Sequence, residues 1–448
     1  MSTGSHKPPE VSVVMATRDR CEPLRLTLSS LVAQRFPEGG FEVIVTDDGL
    51  DDGTSAMVRS FSDRLTLHYH HENGPGFLSA AQAGNTGARL ASAPVLVFLE
   101  AGVLAGPDLL ASHLTVQTEA SAGRVAIGDV RGRRPDGDAA ELAEAAGTLP
   151  PEEILRQYRD ASPFRECRRG DLARARSGVT AGVAPWLSFR LVNTSLRTAD
   201  FWEAGGFDES FRGRGVEDIE LGFRLFARGI PFVLSPAAWA LGARPRRRQP
   251  SGPATGPADV PGSPDVPGPA GPPSDDARDA RQNALRFLLG HPHPAVELTW
   301  ALSGEDRRGR IEGEFTRLLA WTERCRDLPV TAEIEQAVEH LPEGADVVVL
   351  GCGGTLPDAL PPGASIADFD PALLEEAAVS GDHRTANVIG IRTPFADRSA
   401  DVVVITSRLA GVWAAWHREI LAEAHRIGTR VYVALPVPAG VPAPPARR

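Results

Sequence analysis

The sequence is poor in lysine, tyrosine and methionine: Lys7 is the single lysine, and there are three tyrosines and three methionines in 448 residues. Its positive charge is therefore almost all arginine, a cation that never loses its proton and pairs with carboxylate or phosphate through a planar fork. Together with abundant alanine and proline, this is the composition of a GC-rich bacterial coding sequence. Cysteine is scarce too. Cys21, Cys167, Cys325 and Cys352 lie far apart with no C-x-x-C pair, which excludes a disulfide framework and a thiolate metal site. No run approaches the ~20 apolar residues that span a bilayer, and the short polar stretch over residues 1–9 lacks a signal peptide's apolar segment. The expectation is a reducing, cytoplasmic compartment and no transmembrane segment. A net charge of −11 argues against wholesale nucleic-acid binding.

What is present is an ordinary globular composition, 42% hydrophobic and 23% charged, at a length that suits two or three domains. Residues 244–275 hold ten prolines among Gly, Ala, Ser and Asp. Such a stretch buries too little apolar surface to fold and reads as an extended linker. Before it, apolar runs at 11–15, 41–45, 65–69 and 95–99 alternate with helical patterns at 22–34 and 78–90. That alternation predicts a mostly parallel α/β sheet covered on both faces. After it come helical patterns at 276–289 and 310–326, then a second alternation with strands at 346–350, 365–367, 401–405 and 430–434. The expected organisation is a disordered N-terminus over 1–9, an α/β domain over 10–243, a linker over 244–275, a helical segment over 276–339 and an α/β Rossmann-like domain over 340–448.

Ligands of parallel α/β sheets bind beyond the carboxyl ends of the strands. Three such ends carry unusual residues: Ala-Thr-Arg-Asp-Arg at 16–20, Asp-Asp-Gly-Leu-Asp-Asp-Gly-Thr at 47–54, and Glu-Ala-Gly at 100–102. Asn-Gly-Pro-Gly at 73–76 and Gly-Asn-Thr-Gly at 84–87 follow the second of them. Taken singly, each is a turn or a helix cap. In this order they resemble the inverting family-two glycosyltransferases of the GT-A fold, over residues 10 to 242. The resemblance implies a nucleotide-diphosphate-sugar donor, with a UDP-sugar the first expectation. Thr17, Arg18 and Asp19 would line the nucleoside pocket, Asp48 would accept a hydrogen bond from the base, and Gly84 and Asn85 would lie near the donor.

The pattern breaks at the third strand end. The family there carries Asp-x-Asp, which holds a divalent cation on the donor diphosphate and neutralises the leaving nucleotide. This chain keeps one carboxylate, Glu100, and has Gly102 where the second would be. Nor does a histidine follow the acceptor helix, where the chain reads Trp-Ala-Leu-Gly-Ala over 239–243. Mn or Mg, if used, would rest on Glu100 alone. The expected substitute is arginine, from the basic segment at 165–176 that includes Arg168 and Arg169, which would close on the diphosphate.

The acceptor half of the resemblance is fuller. Residues 186–197, the Gly-Gly-Phe-Asp-Glu turn at 205–209 and the Glu-Asp pair Glu217–Asp218 resemble a galactosyltransferase-type acceptor segment. Carboxylates in a helix's first turn are favoured by its dipole whatever their role. The resemblance implies more: Asp218 as the general base that takes the acceptor hydroxyl's proton, and Glu217 as its orienting partner. Trp186, Asn193, Phe211 and Gly213 are the acceptor-side candidates, and the rings of Trp186, Phe211 and Trp239 suit either sugar stacking or core packing. The partners expected are a nucleotide sugar and a hydroxyl-bearing acceptor: glycan, lipid, peptide or secondary metabolite.

The strand at 346–350 runs into Gly-Cys-Gly-Gly over 351–354, and Asp368 closes the next strand. This resembles a degraded class I S-adenosylmethionine-dependent methyltransferase, with Gly351, Gly353 and Asp368 at the cofactor positions. The glycine spacing departs from that family and Val349 stands where it has an acid, so S-adenosylmethionine is not the expected cofactor. Three readings stay open on the sequence: an active glycosyltransferase, a catalytically silent glycosyltransferase fold used for binding or scaffolding, and a bifunctional glycosyl- and methyltransferase.

Overall fold

The computed structural model describes residues 8–37, 40–49, 52–72, 79–131, 144–145, 147–159, 183–213, 215–242, 275–302 and 307–435. They fall into two compact units, one up to Ala280 and one from Arg281. Arg168, Arg169, the motif at 73–76 and nearly all of the 244–275 segment lie outside the described residues.

The first unit is built on an eight-stranded sheet in the order β3-β2-β1-β4-β7-β6-β8-β5. Its strands are β1 (Val11–Thr17), β2 (Phe41–Asp47), β3 (Leu67–His71), β4 (Val95–Leu99), β5 (Val103–Ala105), β6 (Val125–Arg131), β7 (Asn193–Arg197) and β8 (Phe232–Gly242). β3, β2, β1 and β4 run parallel. β1 and β4 are buried almost throughout, as expected of strands covered on both faces. Helices α1 (Cys21–Val32), α2 (Thr54–Arg59) and α3 (Ala80–Leu90) connect them, and α4 (Leu109–Thr118) follows β5. Beyond β4 the sheet turns mixed: β7 is antiparallel to both β4 and β6, and β5 to β8. The sheet is thus wholly parallel in one half and mixed in the other, where β6 and β8 still pair in parallel, and this matches the α/β class expected. Helices α5 (Pro151–Tyr158), α6 (Thr198–Glu203) and α7 (Glu217–Ala227) belong to the mixed half.

The core of the parallel half joins Val13, Met15, Leu24, Leu28, Val43, Val45 and Val97. It fixes where the strand ends lie, because parallel neighbours in register finish side by side. Thr17 at the end of β1 stands opposite Asp47 at the end of β2.

The second unit holds helices α8 (Asp275–Gly290, which begins before Arg281), α9 (Pro294–Ala301), α10 (Arg307–Cys325) and α11 (Thr331–Val338). Its all-parallel sheet has the order β11-β10-β9-β12-β13. These strands are β9 (Val347–Leu350), β10 (Ser365–Asp368), β11 (Arg384–Asn387), β12 (Ala400–Ile405) and β13 (Gly428–Val433), with α12 (Pro371–Val379) and α13 (Ala410–Ile427) between them. The order is that of a doubly wound nucleotide-binding half, but its ligand position is filled. Asp368 at the end of β10 is fully buried and paired with Arg408, also fully buried. Arg408 Nε donates to Asp368 Oδ2 at 2.7 Å and Nη2 to Oδ1 at 3.0 Å. The amides of Gly353 and Asp370 supply a further donor to each oxygen. Arg408 also donates to the Cys325 carbonyl and lies 5.2 Å from the Phe369 ring centroid. At Gly351, Gly353 and Asp368, the positions that the methyltransferase resemblance singles out, the protein's own groups take up the hydrogen bonds of the carboxylate. Gly351 and Gly353 form the turn, with the Gly351 amide bonded to the Ala367 carbonyl, but both oxygens that a ribose would need are already engaged. Arg408 is what the sequence alone did not place.

Candidate active site

The residues expected on the donor side lie at the carboxyl ends of β1, β2 and β4. Arg18 Nε donates to Asp48 Oδ2 at 3.0 Å, and Arg18 Nη2 donates to the same oxygen. Asp48 is buried and its amide reaches the Thr17 carbonyl, so the turns after β1 and β2 are clasped together. Asp19 is held at a positive φ of 49°, a conformation an aspartate adopts at modest strain. Thr17 is buried, and its Oγ1 has no hydrogen-bond partner among the described residues. Such an orphaned buried hydroxyl calls for a ligand or water. Behind it, Asp47 accepts from the Tyr69 hydroxyl at 2.7 Å and from the Gly49 amide at 3.0 Å. Burial and the Asp47 carboxylate push the Tyr69 phenol well above its ordinary value. The structure brings Thr17, Arg18, Asp19 and Asp48 into one cluster.

Glu100 follows β4, which pairs in parallel with β1. Arg20 Nη1 donates to Glu100 Oε1 at 3.2 Å. This partnership spans 80 residues and is not visible in the sequence. Gly102 has a φ of 94°, in the left-handed region that an aspartate occupies only with strain. Its amide is taken by Thr27 Oγ1 and the Pro23 carbonyl. The backbone here is thus shaped for glycine. The fit to a divalent cation is poor: one carboxylate already in an ion pair, no side chain at 102, and among the described residues no cluster of three His, Cys, Asp or Glu able to hold a metal ion.

The acceptor side centres on the start of α7. Val216 precedes it at a φ of 82°, a strained value for a β-branched residue, after Gly215 at 108°. Strain of this kind persists where the surroundings enforce a geometry and is often found at sites. The turn presents Glu217 and Asp218, both buried. Asp218 Oδ1 accepts from the Ile219 amide at 2.8 Å, and its Oδ2 lies 3.6 Å from Arg190 Nη1. Glu217 Oε2 is buried with no hydrogen-bond partner among the described residues. Burial, then the adjacent Asp218 charge, push Glu217 up to about 7, against the lowering effect of nearby amides and Arg190. Two neighbouring buried carboxyls, one holding a proton near neutrality, can accept a proton and donate a hydrogen bond at the same spot.

The segment just before β7 links the two sides. Arg190 faces Asp218, while the Val192 carbonyl accepts the Glu100 amide at 3.3 Å.

Other candidates have structural partners instead. Asn85 Nδ2 donates to the Phe207 carbonyl and to Glu209 Oε1, and its Oδ1 accepts the Phe207 amide, all at 2.8–2.9 Å. A Cβ at Gly84 would lie 2.8 Å from the Phe207 ring. These two residues grip the Gly-Gly-Phe-Asp-Glu turn, so their partners are on the acceptor segment and not at a strand end. Arg224 secures the same turn from α7, bonding Glu220 and the Gly206 carbonyl. Trp186 is 1% exposed and meets Phe223 edge-on, and Phe211 is 2% exposed. Of the two alternatives the sequence leaves open for these rings, sugar stacking and core packing, the burial of both is that of core packing. Asn193 is interior, donating to the Ala238 carbonyl and accepting from His113 Nε2. Burial lowers His113 to about 4, so it is neutral there. Gly213 lies in the loop before α7 with a φ of 60°.

Known proteins similar to this chain are glycosyltransferases. The model of "Glycosyl transferase family 2" matches residues 12–172. The chain is 36% identical over 431 residues to validoxylamine A glucosyltransferase of Streptomyces hygroscopicus subsp. limoneus, covering 94% of this chain and 90% of that protein. Its counterpart in S. hygroscopicus subsp. jinggangensis is 36% identical over 435 residues, covering 94% and 96%. The hyaluronan synthase of Pasteurella multocida is 28% identical over 236 residues, 51% of this chain and 24% of the synthase. Similarity to the first two spans both units. No helix among the described residues is long and apolar enough to cross a membrane.

Proposed function

The chain belongs to glycosyl transferase family 2, and from that premise we propose that it transfers a glucosyl group from a nucleotide-diphosphate donor, UDP-glucose in the first instance, to a hydroxyl of an acceptor like validoxylamine A. The glucosyl group and the acceptor are carried over from the names of its 36% identical relatives. The observation that carries the reaction is the Glu217–Asp218 pair, buried at the head of α7 behind a strained turn and joined through residues 190–192 to the donor strand end.

In this reading the nucleoside enters the cleft at Thr17, Arg18, Asp19 and Asp48, where the unpartnered Thr17 hydroxyl receives it. The acceptor hydroxyl lies against Asp218, which takes its proton as the oxygen attacks the anomeric carbon from the face opposite the leaving group. One bond forms as the other breaks, so configuration inverts. Glu217, protonated near neutrality, donates a hydrogen bond to another acceptor oxygen and fixes its approach. Arg190 lies against Asp218 and holds the carboxylate in place. Asn85 and Arg224 are positioning residues that keep the acceptor turn seated. The ligand-poor metal position carries no step. The engaged Asp368 gives no support to a methyl-transfer reading, and we assign the second unit no chemistry of its own.

The test is direct. The full-length protein is incubated with UDP-glucose and validoxylamine A, and the product's mass and anomeric configuration are read. A glucosylated product of inverted configuration is expected. No transfer from any of UDP-, GDP-, ADP- or dTDP-glucose would overturn the proposal.

A further inference from the structure

We propose that the guanidinium of Arg20, held by Glu100, stands in place of the divalent cation and is the group that meets the donor diphosphate. The inference rests on the glycosyl-transfer reading above and specifies the chemistry of its donor site.

Four observations carry it. First, Arg20 and Glu100 leave the carboxyl ends of β1 and β4, adjacent parallel strands, so their side chains meet where a parallel sheet receives its ligand. Second, the pair is sheltered, with side-chain exposures of 21% and 20%. Water screens it less than a surface ion pair, and its charges act more strongly on a bound group. Third, the guanidinium already occupies the near side of the only carboxylate left at this position. A cation bound to Glu100 at ~2.0–2.6 Å would sit within about 5 Å of a second positive charge. Fourth, among the described residues no group of three His, Cys, Asp or Glu could hold a metal ion, and position 102 has no side chain and a φ of 94° that disfavours one.

Arg18, Asp48 and Asp47, also at the strand ends, make contacts that lock the turns. Arg18 is clasped to Asp48, and Asp47 receives the Tyr69 hydroxyl and the Gly49 amide. Arg20 differs from Arg18 in its partner: it is held to the residue that the metal would need. A guanidinium has five N–H donors in a planar fork, and the bond to Glu100 uses one nitrogen. The remaining edge suits two oxygens of a diphosphate. Glu100 then acts as an orienting group: it fixes the fork instead of ligating an ion. As the bond from the anomeric carbon to the diphosphate oxygen breaks, its electron pair stays on the nucleotide, and the fixed positive charge stabilises that gain. A guanidinium in this role is indifferent to chelators.

The test is calorimetric titration of UDP into the full-length protein, read as affinity so that activity is not needed. The arms are wild type in EDTA, wild type in manganese chloride, Arg20→Ala and Arg20→Lys, with melting temperature as the folding control. Wild-type affinity is expected to agree within about twofold between EDTA and manganese. Arg20→Ala is expected to weaken UDP at least tenfold. Arg20→Lys, which keeps the charge and loses the fork, should fall between them. UDP binding that requires manganese overturns the inference and leaves the glycosyl-transfer reading standing. So does an Arg20→Ala protein that binds UDP like wild type in EDTA. If Arg20→Ala does not fold, the lysine variant and the EDTA arm decide: wild-type affinity of Arg20→Lys, or loss of wild-type binding in EDTA, overturns it. Wild type that binds none of UDP, GDP, ADP and dTDP in either condition overturns the glycosyl-transfer reading, and this inference with it.

Discussion

Arg190 Nη1 lies 3.6 Å from Asp218 Oδ2, beside the buried Glu217. The same guanidinium lowers Glu217, while burial and the Asp218 charge raise it to about 7. Arg190→Gln removes the lowering contribution. Glu217 then holds its proton to higher pH and the two carboxyls share negative charge less readily. The expected outcome is a pH–rate profile for kcat/KM whose alkaline limb, set by loss of the Glu217 proton, moves upward by roughly 0.5–1 unit. Linkage sets the sign for stability. The folded value of Glu217 is above its unfolded one, so its contribution is full below about 4.5 and is lost as pH rises through about 7. Glu217→Gln should therefore raise Tm relative to wild type at pH 8 and change it little at pH 4.5, as measured by thermal denaturation.

Asn85 ties α3 to the acceptor turn through three hydrogen bonds, two of them to the buried backbone of Phe207. Asn85→Ala leaves that amide and carbonyl unpaired, an expected loss of about 2–4 kcal/mol. In a unit of this size that is roughly 5–10 °C in Tm. Because the turn leads into the Glu217–Asp218 loop, the acceptor KM should rise more than the donor KM. Equal changes in both would show that Asn85 serves stability alone.

In the second unit, Arg408→Met strands a buried carboxylate at Asp368 and should destabilise by about 3–5 kcal/mol. The double change Arg408→Met with Asp368→Leu removes both charges and should recover much of that loss. S-Adenosylmethionine should not shift the melting temperature of wild type. A shift of several degrees would mean that the pair opens to admit it.

The parts of the fold legible in the sequence were those whose signal is local. β1, β2, β4, β9 and β12 are apolar runs buried nearly throughout, and they stand within two residues of the expected positions. β5 to β8 were not legible. β5 is three residues long, and β7 reads Asn-Thr-Ser-Leu-Arg, with the pattern of a loop. Its polar side chains are satisfied at a distance: Asn193 at Ala238 and Ser195 at Gln117. The strand-end motifs and the Glu-Asp pair were legible as motifs, and the fold gathers Thr17, Arg18, Asp19 and Asp48 at neighbouring strand ends. Residue type alone could not decide between stacking and packing for Trp186 and Phe211, whose rings pack inward. Nor could it show the partner of Asn85, which is 122 residues away. Arg20 lay inside a recognised motif, but its meeting with Glu100 depends on β1 and β4 being neighbours. Only the folded sheet supplies that fact.

The most direct test of the account is the rate of glucosyl transfer from UDP-glucose to validoxylamine A by wild type and by Asp218→Asn, with UDP affinity measured alongside. The substitution keeps the size of the side chain and the Ile219 contact while removing the base. The account predicts that kcat falls by at least about a thousandfold, with UDP affinity within threefold of wild type. An Asp218→Asn protein that retains more than a tenth of wild-type kcat would contradict it.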